Sequence, residues 1–409
     1  MASATLTAAS VSAPTLEHPL KNPHYRLWLI GGTISFLGDQ FYFVALPWLV
    51  LQQTGSAVAM GAIMMAGAIP RAVLMLMGGA VSDRMSARKI MMATATARTI
   101  CVTVIGLLVW LRVLQTWELY ALAFAFGVAD AFDAPAQSAY MPSLVKREQL
   151  VPASSVSKST AQLTTIVGPV PAGFVIQALG VAWAFFLDAI SFLFIIGALW
   201  KLPDPPKTPA RKAMWHSIAE GISYVAKDVP LRSLMLLATV MNFCVSGPVV
   251  VGLAYFAKTR LGSPAAYGTL ISSLAAGSLL GAVLAGLWKI RKRGVLIPLV
   301  ALVLGLCLSS IALAERTWSA AAILVVMGAA AGLLNVHISA WAMQRIDIAV
   351  RGRVSSVLML AVYGLAPISL GVAGFLVAWN LKLMFLFAGA AMVIAAAGAA
   401  FQKPVRQIE

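Results

Sequence analysis

Two ionisable residues lie deep inside apolar stretches near the start of the chain. Asp39 comes 12 residues after Leu27, where the first stretch begins, and Arg71 comes 12 residues before Asp83, which follows the second stretch. If both stretches are helical, each side chain lies about 18 Å from the same surface. A carboxyl group at that depth can take up and release a proton, and a guanidinium group beside it changes how readily it does so.

The composition of the whole chain is that of a membrane protein. Of the 409 residues, 60% are hydrophobic and only 11% are charged, whereas soluble domains have about 25% charged residues. Twelve apolar segments, each of about the 20 residues that a helix needs to cross a bilayer, follow one another between residues 27 and 402. We therefore expect an all-α membrane protein with twelve transmembrane helices, which we number spans 1 to 12.

The distribution of Lys and Arg predicts the orientation of these helices. Twenty-four Lys and Arg residues, including Arg98, are assigned to the tails and to the loops after spans 2, 4, 6, 8 and 10. The opposite loops hold only Arg112, Lys258, Arg260, Arg316 and Lys382. Because cytoplasmic loops carry an excess of Lys and Arg, we expect both termini in the cytoplasm and the chain in the cytoplasmic membrane. The net charge of +16 then reflects contact with lipid and not with nucleic acid.

A polar segment divides the chain into two sets of six spans. Residues 54–61 align with residues 261–268, and the same offset pairs Gly79 with Gly286, which indicates duplication of a six-helix unit. Within the polar segment, apolar residues recur every three or four positions from Met214 to Ala226, as in an amphipathic helix on a membrane surface. The predicted organisation is a disordered cytoplasmic tail (1–26), a six-helix bundle (27–201), a linker (202–230), a second bundle (231–402) and a short cytoplasmic tail (403–409).

The turn between spans 2 and 3 carries a charged pattern that begins with a glycine. It resembles the signature loop of the major facilitator superfamily, and the matching positions are Gly79, Asp83, Arg84 and Arg88. Ser86 and Ala87 depart from that pattern. The resemblance implies two pseudo-symmetric six-helix halves with a binding site between them, and a gating role for the four matching residues.

The same resemblance implies a role for an acidic residue near the corresponding end of span 4. Asp133 occupies that position and would pair with Arg84, Arg88 or Arg98 as a latch. Asp130, one helical turn deeper, is a candidate for the lining of a central cavity. The alternative for both aspartates is that they only satisfy neighbouring groups at the end of the helix.

Span 5 resembles the Gly-Pro-x-x-Gly-Gly motif of antiporters in this superfamily. Gly168, Pro169 and Gly173 match it, and Ala172 replaces one glycine. The resemblance implies export in exchange for protons. Asp188, within Phe-Phe-Leu-Asp-Ala-Ile-Ser-Phe, is similar to a pattern in the branch that contains macrolide, multidrug and siderophore exporters.

The second half offers weaker candidates for the cavity lining, which are Asn242, Asn335 and His337. A histidine inside a span could sense protons, but more often it is a hydrogen-bonded packing residue. The three cysteines lie far apart in apolar helices without metal-ligand spacing, so we expect no metal and no cofactor. No Gly-x4-Gly-Lys-Ser/Thr phosphate loop occurs, so ATP is not expected to drive the protein directly.

These observations predict a transporter and not an enzyme. The first hypothesis is a monomeric exporter of amphipathic small molecules in which the two halves rock, Asp39 binds the exchanged proton and Arg71 tunes that binding. An importer of a nutrient or metabolite, and a non-transporting receptor or scaffold with the same fold, are the alternatives. For Asp39 and Arg71 the alternative is a static ion pair that joins spans 1 and 2.

Overall fold

The structure, a computed structural model, describes residues 18–204, 214–288, 293–347 and 350–402, and for 76–84, 214–218, 293, 351–352 and 356 the backbone alone. In this part of the chain, 12 helices are long and apolar enough to cross a membrane, as the sequence predicts. The first six spans are Pro23–Thr54, Ala57–Arg84, Ala87–Trp110, Thr116–Tyr140, Leu150–Val167 continued by Pro169–Leu179, and Val181–Lys201. Spans 7 to 12 are Val229–Leu261, Pro264–Leu287, Arg293–Ile311, Thr317–Arg345, Arg351–Tyr363 continued by Ala366–Trp379, and Leu381–Phe401.

Local sequence signals set the ends of these helices. Asn22 precedes span 1 and its side chain accepts from the backbone N–H of His24 at 2.9 Å, while Gly55 ends the helix with a left-handed φ of 63°. Ser86, which stands where the signature loop has a glycine, caps span 3 by accepting from the Lys89 N–H at 3.3 Å. The departure from the signature pattern therefore supplies a helix cap.

The linker contains the helix that its spacing predicts, at Met214–Lys227. This linker helix packs against the beginning of span 11, because a Cβ at Gly221 would lie 2.8 Å from the Arg353 carbonyl oxygen. An ion pair of 2.6 Å joins Arg353 to Glu220. Val225 is buried, whereas Ile222 is 49% exposed, so only part of the apolar face is covered by protein.

Span 1 packs closely against span 6, and this contact positions the buried acidic residues of the first half. A Cβ at Gly38 would collide with the Ser191 side chain and lie 2.8 Å from Asp188 Oδ1. Because glycine has no side chain, the two helices approach closely enough to bury both polar groups. We call the membrane side on which span 1 begins and span 12 ends the terminal side, and the other the opposite side.

The two halves contact each other closely towards the opposite side. Span 2 meets span 11 where a Cβ at Gly61 would lie 2.7 Å from the Leu370 carbonyl oxygen and 2.9 Å from Gly374 Cα. Span 5 meets span 8 where a Cβ at Gly173 would lie 2.5 Å from the Pro264 carbonyl oxygen. Backbones at this distance leave no room for side chains between the helices, so these contacts close the bundle there.

Candidate functional site

Arg98, in span 3, is the centre of a buried charged cluster. It is 3% exposed, and its guanidinium contacts carboxylates from two other spans. Its Nη2 lies 3.0 Å from Asp133 Oδ2, and its Nη1 lies 3.6 Å from both Asp39 Oδ1 and Asp130 Oδ1. The Phe192 ring of span 6 covers the guanidinium, with its centroid 4.7 Å from Cζ. One buried cation therefore serves three acidic residues.

Arg71 belongs to the same cluster but does not pair with Asp39. Its Nε lies 3.1 Å from Asp130 Oδ2, and its side chain is 54% exposed. Asp39 and Arg71 are thus linked indirectly, through Asp130 and Arg98. The structure therefore does not place Arg71 directly beside Asp39, because equal depth in two helices does not determine which way each side chain points.

Asp133 has the most complete set of partners in the cluster. Besides Arg98, it accepts hydrogen bonds from the Thr94 hydroxyl at 3.1 Å and from Gln137 Nε2 at 2.6 Å. Of the three predicted arginine partners, the structure places Arg98 beside it. Arg88 instead donates to the backbone carbonyls of Leu199 and Trp200 at the end of span 6, at 2.6 and 3.1 Å.

Arg98 was misplaced by the charge count, which assigned it to the terminal-side loops. The signal that could have placed it correctly is its position well inside the apolar stretch that forms span 3, 11 residues after Ala87 at the helix start. At the rise of an α-helix this puts it about 16 Å from that end. When Arg98 is left out of the count, the terminal-side loops and tails still hold far more Lys and Arg than the opposite loops.

Asp188 is a buried acid that reasoning from depth alone missed. It is 0% exposed and lies beside Ser191, whose hydroxyl donates to the Asp188 backbone carbonyl at 2.7 Å and lies 3.4 Å from Oδ1. Its Oδ2 has no hydrogen-bond partner among the described residues. The sequence singled out Asp188 only through a family resemblance and assigned it no role.

A cavity of about 670 Å³ lies between the two halves, bordered by spans 1, 2, 4 and 5 on one side and spans 7, 8 and 11 on the other. Arg71 and Asp130 reach it from the first half, and Ser246 faces them from the second. Most of the remaining surface is apolar, with Met64, Met75 and Met359 among the lining residues. Flexible methionine side chains suit a site that accommodates ligands of varied shape.

The remaining cavity candidates lie elsewhere in the second half. Asn242, Asn335 and His337 are not among the residues that line this cavity. The Asn242 side chain accepts a hydrogen bond of 2.8 Å from the hydroxyl of Ser246, which does line the cavity. His337 is buried and its Nδ1 lies 3.0 Å from the Leu333 carbonyl oxygen of its own helix, as expected of a packing residue.

The family motif of span 5 lies at the interface between the two halves. Gly168 separates the two helices of span 5, and a Cβ there would lie 2.5 Å from Gln40 Cγ. A Cβ at Gly268 of span 8 would collide with the Pro169 carbonyl oxygen, so the span 5 motif forms part of the contact between halves. In the signature loop, the side chains of Gly79, Asp83 and Arg84 lie outside the described part.

Side chains also join the halves on the opposite side. The Lys258 ammonium of span 7 lies 4.8 Å from the centroid of the Trp48 ring of span 1. The Ser263 hydroxyl donates to Gln177 Oε1 at 2.8 Å, across the contact between spans 5 and 8. Among the described residues, no group of three or more His, Cys, Asp or Glu side chains could hold a metal ion.

Comparison with known proteins shows which family the chain belongs to. A family model described as transmembrane secretion effector matches residues 15–409. The chain belongs to this family of the major facilitator superfamily. The chain is 27% identical to the multidrug efflux pump Tap of Mycolicibacterium fortuitum, over 94% of this chain and 96% of that protein. It is 25% identical to macrolide efflux protein A of Streptococcus pyogenes, over 70% and 71% of the two chains.

Solved structures support the fold independently of sequence. The nucleoside transporter NupG superposes with a TM-score of 0.75, covering 93% of this chain and 100% of that chain, at 14% identity. The predicted superfamily and fold are confirmed, and this family member is a multi-pass membrane transporter and not an enzyme.

Proposed function

We propose that the protein exports amphipathic small molecules across the cytoplasmic membrane in exchange for protons, by alternating access. The observation that carries this proposal is the row of ion pairs from buried Asp39 through Arg98 and Asp130 to Arg71 in the cavity. The Lys and Arg bias supports a cytoplasmic location for the terminal side. The efflux relatives support the direction of transport.

The cluster can couple a proton to a cationic amphipathic substrate by competition for Asp130. Protonation of Asp39 removes one of the three carboxylates that share Arg98, so Arg98 pairs more strongly with Asp130. A substrate cation that enters the cavity also needs Asp130, because this is the acid that reaches the lining. Each event weakens the other, and such reciprocal coupling is what an exchanger requires.

The contacts between halves support a conformation closed on the opposite side. Met75 lies about four helical turns closer to the terminal side than Gly61, where spans 2 and 11 touch, and both Met75 and Met359 line the cavity. The cavity therefore extends to the terminal side of the closed contact. In the proposed cycle this is the form that releases protons to the cytoplasm and receives substrate in exchange.

Transport in membrane vesicles of defined orientation tests the proposal. Everted vesicles that contain the full chain and are acidified inside by respiration should accumulate radiolabelled erythromycin or ethidium, and collapse of the pH gradient with nigericin should release it. Vesicles without the protein are the control. Accumulation in right-side-out vesicles would instead support the importer, and the absence of protein-dependent transport of either probe would contradict the proposal.

A crosslink between spans 5 and 8 tests the alternating-access step. In a protein whose native cysteines have been replaced, Gln177→Cys combined with Ser263→Cys should crosslink, since the two native side chains are within hydrogen-bond distance. The crosslink should reduce transport to background, and reduction should restore it. Each single substitution is the matched control. Full transport by the crosslinked protein would show that this contact does not open during the cycle.

A further inference from the structure

Among the described residues, no cation forms an ion pair with Asp188, although Arg98 lies close to it. The charged groups that face it are Asp39 from span 1 and Arg98 from span 3, and the Tyr42 phenol of span 1 and the Asp130 carboxylate of span 4 belong to the same surroundings. Arg98 forms its ion pairs with Asp39, Asp130 and Asp133. In the part of the chain that is described, no ion pair reaches Asp188.

The cluster holds more acids than bases. Four carboxyl groups (Asp39, Asp130, Asp133 and Asp188) lie among two guanidinium groups (Arg71 and Arg98). If all four were ionised, two negative charges would remain without compensation, although Asp39, Asp133 and Asp188 are buried. An isolated buried carboxylate is so costly that the group takes up a proton instead.

The four acids differ in the number of partners that can stabilise a negative charge. Asp133 has a 3.0 Å ion pair and two side-chain hydrogen-bond donors, and Asp130 contacts both arginines. Within the described part of the chain, Asp39 has one ion pair, of 3.6 Å, and no hydrogen-bond donor at Oδ1. There, Asp188 has neither an ion pair nor a hydrogen bond at Oδ2.

We infer that Asp188 is a second proton-binding carboxyl, so that this conformation holds two protons, one on Asp39 and one on Asp188. The inference rests on the proposed proton coupling at Asp39. Each carboxylate takes one proton from the opposite side to become a neutral acid, and gives it up on the terminal side. No other bond changes.

The contact at Gly38 links the second proton to movement of span 1. Span 1 covers Asp188 only because Gly38 has no side chain, as its Cβ would lie 2.8 Å from Asp188 Oδ1. If span 1 shifts away from span 6 while the cavity is open to the terminal side, water reaches Asp188 from that side and can accept its proton. The carboxyl is then neutral when covered and ionised when solvated, as its surroundings require.

Infrared spectroscopy of the full chain in lipid nanodiscs at neutral pH counts protonated carboxyl groups without any substrate. The wild type should show a protonated carboxyl band that shifts in D₂O. Asp188→Asn should remove about half of its intensity, Asp39→Asn the other half, and Glu148→Gln, which changes an exposed surface acid, none. If Asp39→Asn alone reduces the band, the second site is overturned and the proposed coupling residue stands. If Asp188→Asn alone reduces it, the inference of two protons and the assignment of Asp39 both fail.

Thermal unfolding of the same variants supplies a second readout that holds even if a variant is less stable. Asparagine has nearly the size of a protonated aspartate and is also neutral, so Asp188→Asn should keep the unfolding midpoint of the wild type. Asp133→Asn removes the shortest ion pair of Arg98 and should lower the midpoint. A fall for Asp188→Asn as large as that for Asp133→Asn would mean that Asp188 is ionised, and would overturn the inference.

Discussion

Substitution of Arg98 by methionine should destabilise the protein more than any other single change in the cluster. Methionine has a similar length but no charge, so Asp39 and Asp133 lose the cation that they contact, and Asp130 keeps only Arg71. Removal of one partner from a buried ion pair costs about 3 to 5 kcal/mol. Size-exclusion chromatography of heated, detergent-solubilised protein measures the loss as a lower unfolding midpoint and a smaller folded fraction.

Arg88→Met is the matched control, because Arg88 lies on the same helix but donates to backbone carbonyls near the terminal side. It should have a much smaller effect. Arg98→Lys should fall between the two, since one ammonium cannot reproduce the planar guanidinium that spans several carboxylates. Adding Asp133→Asn to Arg98→Met should recover part of the stability, because it removes an acid left without its partner. An Arg98→Met protein as stable as the wild type would refute the buried cluster.

Asp39→Asn should abolish the contribution of one proton to accumulation while leaving the passive exchange of substrate intact. One proton that moves down a gradient of about one pH unit releases about 1.4 kcal/mol, which sustains about a tenfold accumulation. Asparagine cannot bind that proton, so the accumulation ratio in acidified everted vesicles should fall about tenfold. Exchange of labelled for unlabelled erythromycin at equal pH measures the step that needs no proton, and this should continue.

Glu315→Gln, which changes an exposed acid in the loop between spans 9 and 10, should leave both measurements unchanged. If Asp39→Asn accumulated probe as well as this control, Asp39 would not carry a coupling proton. If it lost exchange as well as accumulation, the carboxyl would be needed for substrate binding or for movement, and the coupling assignment would fail in that form.

The twelve spans could be predicted because their signal is local. Each span is a run of apolar residues of membrane-spanning length, and no distant contact is needed to recognise it. The resemblance around Gly79 and Arg88 added the superfamily, which the family match confirms. Both signals are read directly from order along the chain, so no knowledge of the packing is required.

The partners inside the bundle could not be predicted in the same way. Depth along a helix can be counted in residues, but the direction of a side chain around the helix axis depends on how the helices pack. That direction pairs Arg71 with Asp130 and brings Arg98 to Asp39. Arg98 was also counted with a loop because all basic residues near one membrane side were treated as loop charges.

The surroundings of Asp188 could not be predicted from the sequence either. Its burial depends on a glycine in another helix, Gly38, and the ion pairs of Arg98 are made with three other acids. Neither condition can be read from the residues around position 188. An acid without a cation can be recognised only once all of its neighbours are known.

The most direct test of the central claim is to measure substrate and proton movement in the same proteoliposomes. The purified full chain is reconstituted with a pH-sensitive dye trapped inside, and a gradient of radiolabelled erythromycin is imposed in the absence of a pH gradient. We expect protons to move opposite to erythromycin, and Asp39→Asn to slow this proton flux far more than the passive exchange of erythromycin. Protein-dependent movement of erythromycin with no movement of protons would contradict this expectation.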